Sequence, residues 1–189
     1  MDFDKLEAGF RQVLEGLGLA PDDPYFRDSP KRMARAWGEE LCAGLREPEL
    51  AFEVYPIEEG FQAGLIALQS IPVKSLCAHH FLPLAGHAVV GYLPDAHFCG
   101  LSNLSRVVDH FARRPQLQEN LTSQIAQFLA RQLKARGVGV VVKASHYCME
   151  FRGVNHGGLM TTSTLLGEFQ ENPDLRAEFL ALINAPQRS

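Results

Sequence analysis

Two short segments, Cys77-Ala78-His79-His80 and His146-Tyr147-Cys148, bring two thiols and three imidazoles to positions from which they could share a metal. Cys77 and His80 have the spacing of a close ligand pair, and one distant cysteine brings the count to three. Structural zinc sites are usually closed by four protein ligands, whereas catalytic sites hold the metal with three and keep the fourth position for water or substrate. The count therefore points to a hydrolytic metal. The plainer reading is that cysteine is among the most buried residue types, so each of the four in this chain also reads as a small core hydrophobe. A C-x-x-H pair alone is a weak signal, and the second cluster is what strengthens it.

Periodicity indicates the elements that must carry these groups. From Val138 the chain runs Val-Gly-Val-Val-Val-Lys-Ala-Ser-His-Tyr-Cys-Met-Glu-Phe-Arg-Gly, a β-branched stretch that predicts a strand. Alternation along it would put His146, Cys148, Glu150 and Arg152 on one face and Tyr147, Met149 and Phe151 on the other. Polar groups in a row need partners, so one face is expected to carry chemistry and the other to pack. Cys77 and His80 have opposite parity; their segment must bend for both to reach one metal.

The remaining pattern is that of an α+β protein. Residues 4–17 place Leu6, Phe10, Val13, Leu14 and Leu17 at helical spacing before Gly18. A second helix is expected with Ser29 as N-cap, Pro30 in first position, and Met33, Trp37 and Leu41 on one face. Residues 44–62 read as an irregular connection rich in Glu, Gly and Pro. It would separate an N-terminal helical lobe, residues 1–60, from a catalytic domain, residues 61–189. Strands are predicted near 65–77 and 87–93, with Pro83 and Gly86 marking a turn between them. Helices follow near 102–112 and 116–135, the second burying Leu117, Leu121, Ile125, Phe128, Leu129 and Leu133. Thr161 to Phe169 predicts another strand, and Asn172-Pro173 the start of a last helix with Leu175, Phe179 and Ile183.

Composition narrows the function classes. With 189 residues and 46% hydrophobic content the chain can bury a substantial core. Four cysteines without a secretory leader point to reduced thiols in a cytoplasmic setting, and no membrane span is evident. A net charge of −4 provides no general attraction for nucleic acid, so an anionic substrate must be met by locally clustered cations.

Read together and in order, the motifs resemble those of the GTP cyclohydrolase I family. They are Asp28-Ser29-Pro30-Lys31-Arg32, Cys77-Ala78-His79-His80, Gly100-Leu101-Ser102, Arg114-Pro115-Gln116-Leu117-Gln118-Glu119, His146-Tyr147-Cys148, Arg152-Gly153-Val154 and Thr161-Thr162-Ser163-Thr164-Leu165-Leu166-Gly167. The resemblance runs from about Asp28 to the C-terminal helix. It implies a T-fold (tunnelling fold), in which antiparallel sheet and helices from several subunits form a barrel. It also implies a homodecamer with active sites shared between subunits. The implied reaction hydrolyses the imidazole ring of GTP at C8, releases formate and forms 7,8-dihydroneopterin triphosphate.

On that resemblance Cys77, His80 and Cys148 would bind Zn2+, and His79 and His146 would move protons. Gln118 and Glu119 match the base-binding pair; a carboxylate at 119 can accept from guanine N1 and the exocyclic amine together. Glu119 also reads as a first-turn carboxylate that favours the helix dipole. Arg32, Arg106 and Arg152 would hold the triphosphate, and Ser102 reads as an N-cap presenting a helix N-terminus to phosphate or ribose. Two positions depart from the family pattern: Ala78 stands where a Glu is common, and Asn103 where a Lys is common. These departures leave open a paralogue that acts on another guanine nucleotide or stops at a ring-opened intermediate. A catalytically silent T-fold assembly that binds a pterin or nucleotide and regulates a partner is the alternative from a different class. Retention of Cys77, His79, His80, His146 and Cys148 argues against it.

Overall fold

The chain is described by a computed structural model covering residues 1–46, 49–58, 60 and 64–184. Residues 47, 48, 59, 61 and 62 of the expected 44–62 connection lie outside the described residues, as do 61–63 and 185–189 of the expected second lobe.

A long hydrophobic run becomes a strand when its neighbours can pair with it, and this happens four times in succession here. Strands β2 (Ile66–Cys77), β3 (Pro83–Leu93), β6 (Gly137–His146) and β7 (Leu159–Gly167) form an antiparallel sheet in which β3 and β6 are central. A two-residue strand, β5 (Pro115–Gln116), adds parallel to the end of β2, giving the order β5-β2-β3-β6-β7. A separate short pair joins β1 (Tyr55–Pro56) to β4 (His97–Phe98). Leucine, valine and alanine at helical spacing turn α3 (Leu101–Ala112) and α4 (Gln118–Leu133) onto one face of the sheet. There Leu104, Val107, Val108, Leu121, Ile125 and Leu129 close over Val73, Val90, Val138, Val140 and Val142. The opposite face takes Val89, Leu93 and Val141, which α6 (Glu168–Glu171) and α7 (Pro173–Asn184) cover with Phe169 and Phe179. The Phe179 ring lies against the backbone at Gly91 and Gly139, where any β-carbon would collide with it. This is the antiparallel sheet with packed helices expected of a T-fold subunit.

The N-terminal elements are α1 (Phe3–Gly16) and α2 (Ser29–Arg35), the latter continuing through a π-helical turn (Ala36–Leu41) and a 3-10 turn (Ala43–Leu45). They are fastened to the rest by Arg114 Nη2, which donates to Gly44 O at 2.8 Å, and by Gly44 N, which donates to Arg113 O at 2.9 Å. Asn172 caps α7 as expected, its Oδ1 accepting from the Asp174 and Leu175 amides.

Six local expectations are corrected. The strand expected over 161–169 ends at Gly167, and Phe169 is buried in α6; Leu117 flanks α4 as an exposed residue. The strand from Val138 ends at His146, and Tyr147–Glu150 form a single helical turn, α5. The ladder has run out on both sides, because β3 pairs only as far as Leu84 with His146 and β7 only as far as Leu159 with Ser145. Gly86 belongs to no turn; it lies inside β3, pressed against the β6 backbone at Lys143 and Ala144. Ser29 is the first residue of α2, and the flanking Asp28 makes no side-chain cap bond. Ser102 is likewise within α3, flanked by Gly100, with no capping bond. Among the described residues no helix is long and apolar enough to cross a membrane.

Candidate metal centre and its histidine

The turn between β2 and β3 resolves the parity conflict of Cys77 and His80. Cys77 N donates to Leu82 O, Phe81 N donates to Cys77 O, both at 2.8 Å, and Phe81 takes a left-handed φ of 54°. This tight loop swings His80 back over Cys77, so that His80 Nδ1 lies 3.7 Å from Cys77 Sγ. The Phe81 ring stacks on Trp37 at 5.5 Å, and Trp37 in turn meets Phe10, so the N-terminal helices brace the loop.

Cys148 reaches the same point from α5. One ligand atom each from Cys77, His80 and Cys148 lies within 4.8 Å of the others. A tetrahedral ion with bonds of about 2.0–2.3 Å separates its ligand atoms by about 3.5–3.8 Å, so the Cys77 and His80 pair already stands at ligand spacing. Cys77 and Cys148 are 6% and 9% exposed, while His80 faces solvent, which leaves the site an open side. Burial and the neighbouring Cys77 push the Cys148 thiol up, opposed by Arg152. Two thiolates this close repel, and a cation between them removes the repulsion. Two thiols and one imidazole therefore fit a divalent metal with a free coordination position.

Beside this cluster His146 ends β6 half-buried. Its Nε2 lies 2.8 Å from Gln118 Oε1. Gln118 is 1% exposed, and its Nε2 points at Val142 O (3.0 Å), Met160 O (3.0 Å) and Thr162 Oγ1 (3.2 Å). Carbonyl oxygens accept only, so the amide nitrogen must face them and the amide oxygen must face His146. An oxygen there requires a proton on His146 Nε2. The neutral ring then has its lone pair on Nδ1. Burial lowers the pKa of His146, and the carboxylate of Glu119 partly offsets this.

One helical residue step separates the two members of the expected base-binding pair. Gln118 faces the core with both ends of its amide engaged, whereas Glu119 is exposed in the first turn of α4. His79 is exposed, edge-on to His80 with ring centroids 6.1 Å apart. Arg152 follows α5 and faces solvent. The structure thus gathers Cys77, His79, His80, Gln118, Glu119, His146, Cys148 and Arg152. Arg32, on α2, pairs with Asp28 at 3.7 Å; Ser102 is exposed on α3; Arg106 lines a cavity between α3 and β2. Among the described residues these three form no hydrogen bond or ion pair with the metal cluster.

The sequence profile of GTP cyclohydrolase I matches residues 6–184. The chain belongs to the GTP cyclohydrolase I family. It is 43% identical over 190 residues to GTP cyclohydrolase 1 of Sulfurihydrogenibium sp. (strain YO3AOP1), covering 100% of this chain and 98% of that protein. It is 45% identical over 186 residues to the GTP cyclohydrolase 1 of Carboxydothermus hydrogenoformans, covering 97% and 95%. A third relative, GTP cyclohydrolase 1 of Rhodopirellula baltica, is 40% identical over 185 residues, covering 97% and 80%.

Within this GTP cyclohydrolase I chain, sequence reasoning missed the support role of Gln118 and the place of Asn103. Both were legible as helix faces: Gln118 shares its side of α4 with Leu121, Thr122 and Ile125, and Asn103 its side of α3 with Leu104, Val107 and Val108, all buried. Asn103 is 6% exposed and its Nδ2 donates to Glu53 O at 3.0 Å. In this chain position 103 ties the 50s segment to α3.

Proposed function

We propose that the chain is a zinc-dependent GTP cyclohydrolase I that opens the guanine imidazole ring of GTP, releases formate and forms 7,8-dihydroneopterin triphosphate. Cys77, His80 and Cys148 would hold the zinc, which when bound supplies a Lewis acid and acidified water at its open position. The observation that carries this reading is the convergence of those three ligand atoms within 4.8 Å, beside a histidine held by a buried amide, in a chain of this family.

The remaining roles follow from placement. Gln118 keeps the proton on His146 Nε2, so Nδ1 is available to accept a proton during hydrolysis and return it later. Exposed His79 is the second proton carrier. Glu119, exposed beside His146, accepts from guanine N1 and the exocyclic amine, while Gln118 serves the histidine and not the base. Arg152 meets the phosphates from the metal side. Arg32, Ser102 and Arg106 meet them from a neighbouring subunit; among the described residues of one chain none of the three bonds to the cluster. A homodecamer is part of this reading. β7 offers a free strand edge among the described residues, and unpaired edges are templates for another chain. The division into a helical lobe, residues 1–60, and a T-fold domain, residues 61–189, and a cytoplasmic location belong to it as well.

The test is to load the purified protein with zinc, offer GTP, GDP and GMP separately, and follow formate and pterin fluorescence together. GTP should yield one formate per pterin. Formate without pterin, or neither product from GTP, would overturn the assignment.

A further inference from the structure

The ring stack behind the metal loop joins three stretches of chain. Phe10 of α1 meets Trp37 with ring centroids 5.7 Å apart, and Trp37 lies nearly parallel to Phe81, 5.5 Å away at an interplanar angle of 12°. Trp37 sits in the π-helical turn, where Cys42 N donates to Trp37 O at 2.8 Å, five residues back instead of four. Such turns are rare inside helices and concentrate at functional sites. α1 holds this one in place, because the Phe3 ring packs so closely on Gly38 that any β-carbon there would collide with it. Across the stack, Phe81 adopts a left-handed φ of 54°, a costly region for a bulky side chain, and its ring is 47% exposed. Little burial holds Phe81 there; the stack on Trp37 does. With β2 and β3 fixed at either end, relaxation of Phe81 to a negative φ has to be absorbed by residues 78–80. That would move His80 from its place, where Nδ1 lies 3.7 Å from Cys77 Sγ.

We propose that Trp37 is a positioning residue for the metal centre: its stack on Phe81 holds the loop in the conformation that sets His80 against Cys77. The inference rests on the assignment of Cys77, His80 and Cys148 as the metal ligands. Cys77 ends β2 and Cys148 lies in α5, both buried, whereas His80 faces solvent on the loop. His80 is therefore the ligand whose place the stack decides. Metal affinity falls in proportion to the fraction of molecules whose loop is ready to bind, so a contact that favours the ready loop raises affinity. Linkage makes the effect reciprocal, and a bound metal favours the stack in turn.

The chain has one tryptophan, so its fluorescence reports on this contact alone. Zinc dissociation constants are measured by chelator competition for the whole chain and for Trp37→Phe, Trp37→Leu, Phe81→Leu and the double variant with leucine at both positions. Melting temperatures of the metal-free forms are recorded alongside. Trp37→Leu should weaken zinc binding roughly 3- to 10-fold, the worth of one aromatic pair, and Trp37→Phe should recover most of the loss. Phe81→Leu should weaken it to a similar extent, and the double variant no further than either single one. Tryptophan emission of the unaltered protein should shift when zinc is removed and return when it is restored, and Phe81→Leu should abolish that shift. A lowered melting temperature with an unchanged zinc constant in Trp37→Leu and Phe81→Leu would overturn the proposal, because a contact that only stabilises the fold moves the first and not the second. If Trp37→Leu fails to fold, Phe81→Leu and the emission of the unaltered protein decide: an unchanged constant in the one and an unresponsive emission in the other would refute the coupling. Failure of the unaltered protein to bind zinc would refute the metal assignment and this inference with it, a result distinct from equal binding by protein and variants.

Discussion

Replacing Gln118 by Leu separates two roles for this residue that predict different kinetics. In the structure Gln118 spends its amide oxygen on His146 Nε2 at 2.8 Å and its nitrogen on Val142 O, Met160 O and Thr162 Oγ1. A net hydrogen bond of about 0.5–1.5 kcal/mol to the imidazole corresponds to about a 2- to 13-fold preference for the productive tautomer and ring orientation. Gln118→Leu should therefore lower kcat for GTP by about that factor, with KM nearly constant and zinc retained. Complete loss of the histidine is larger, since a positioned proton carrier contributes about 10² to 10⁴ in rate. The decisive assay is a double-mutant cycle. Gln118→Leu placed on a His146→Ala background should cost almost nothing further in kcat, because the amide then has no imidazole to hold. Nitrogen chemical shifts of His146 supply an independent readout: Nε2 should be the protonated nitrogen in the unaltered protein and lose that preference in Gln118→Leu. The reasoning is refuted if Gln118→Leu raises KM and relaxes discrimination for guanine while leaving kcat intact. It is equally refuted if its effect persists undiminished without His146.

Cys148→Ala should lose both metal and activity, whereas Cys42→Ala and Cys99→Ala, which alter buried cysteines outside the cluster, should retain about one zinc per subunit by elemental analysis. Glu119→Gln should reduce kcat/KM for GTP by about 10- to 150-fold, the range for a lost hydrogen bond to a charged group, and narrow the preference for GTP over ITP. ITP lacks the exocyclic amine, so an equal loss with both nucleotides would refute base reading by Glu119. Asn103→Ala should lower the melting temperature, because the Glu53 carbonyl loses its donor, at a cost of about 1–3 kcal/mol, while the GTP KM stays constant. A KM increase at unchanged melting temperature would restore position 103 to the phosphate site.

The candidate metal ligands were legible before any coordinates because metal-binding chemistry is written in residue types. Cys77, His80 and Cys148 are soft or borderline donors in number and kind, and these properties do not depend on the path of the chain. The five longer helices, α1, α2, α3, α4 and α7, and the four main strands were legible for a related reason: burying one face imposes a period of 3.6 or 2 on the hydrophobic residues. Phe179 and Leu175 of α7, and Leu121, Ile125 and Leu129 of α4, declare their faces by spacing alone.

What spacing could not decide is where pairing stops and which neighbour a polar side chain meets. The strand through His146 was extended to Arg152 because its alternation continues, but alternation is a property of one chain and a ladder needs two. With no partner beyond Leu84 or Leu159, the backbone turned into α5 and brought Cys148 to Cys77 and His80 by a helical turn. Gly86 has the composition of a turn and the position of a close strand contact, a difference made entirely by Lys143 and Ala144 on β6. Gln118 is the sharpest case. The family resemblance pairs it with Glu119 in base binding, and a helical step of about 100° sends the two side chains to different environments. Residue types and their periodicity determined what chemistry this chain could perform; contacts between α4 and the sheet, between residues 24 to 44 positions apart, decided which atoms Gln118 holds. The cause is physical: a hydrogen bond is set by proximity in space, and that proximity exists only once the strands have paired.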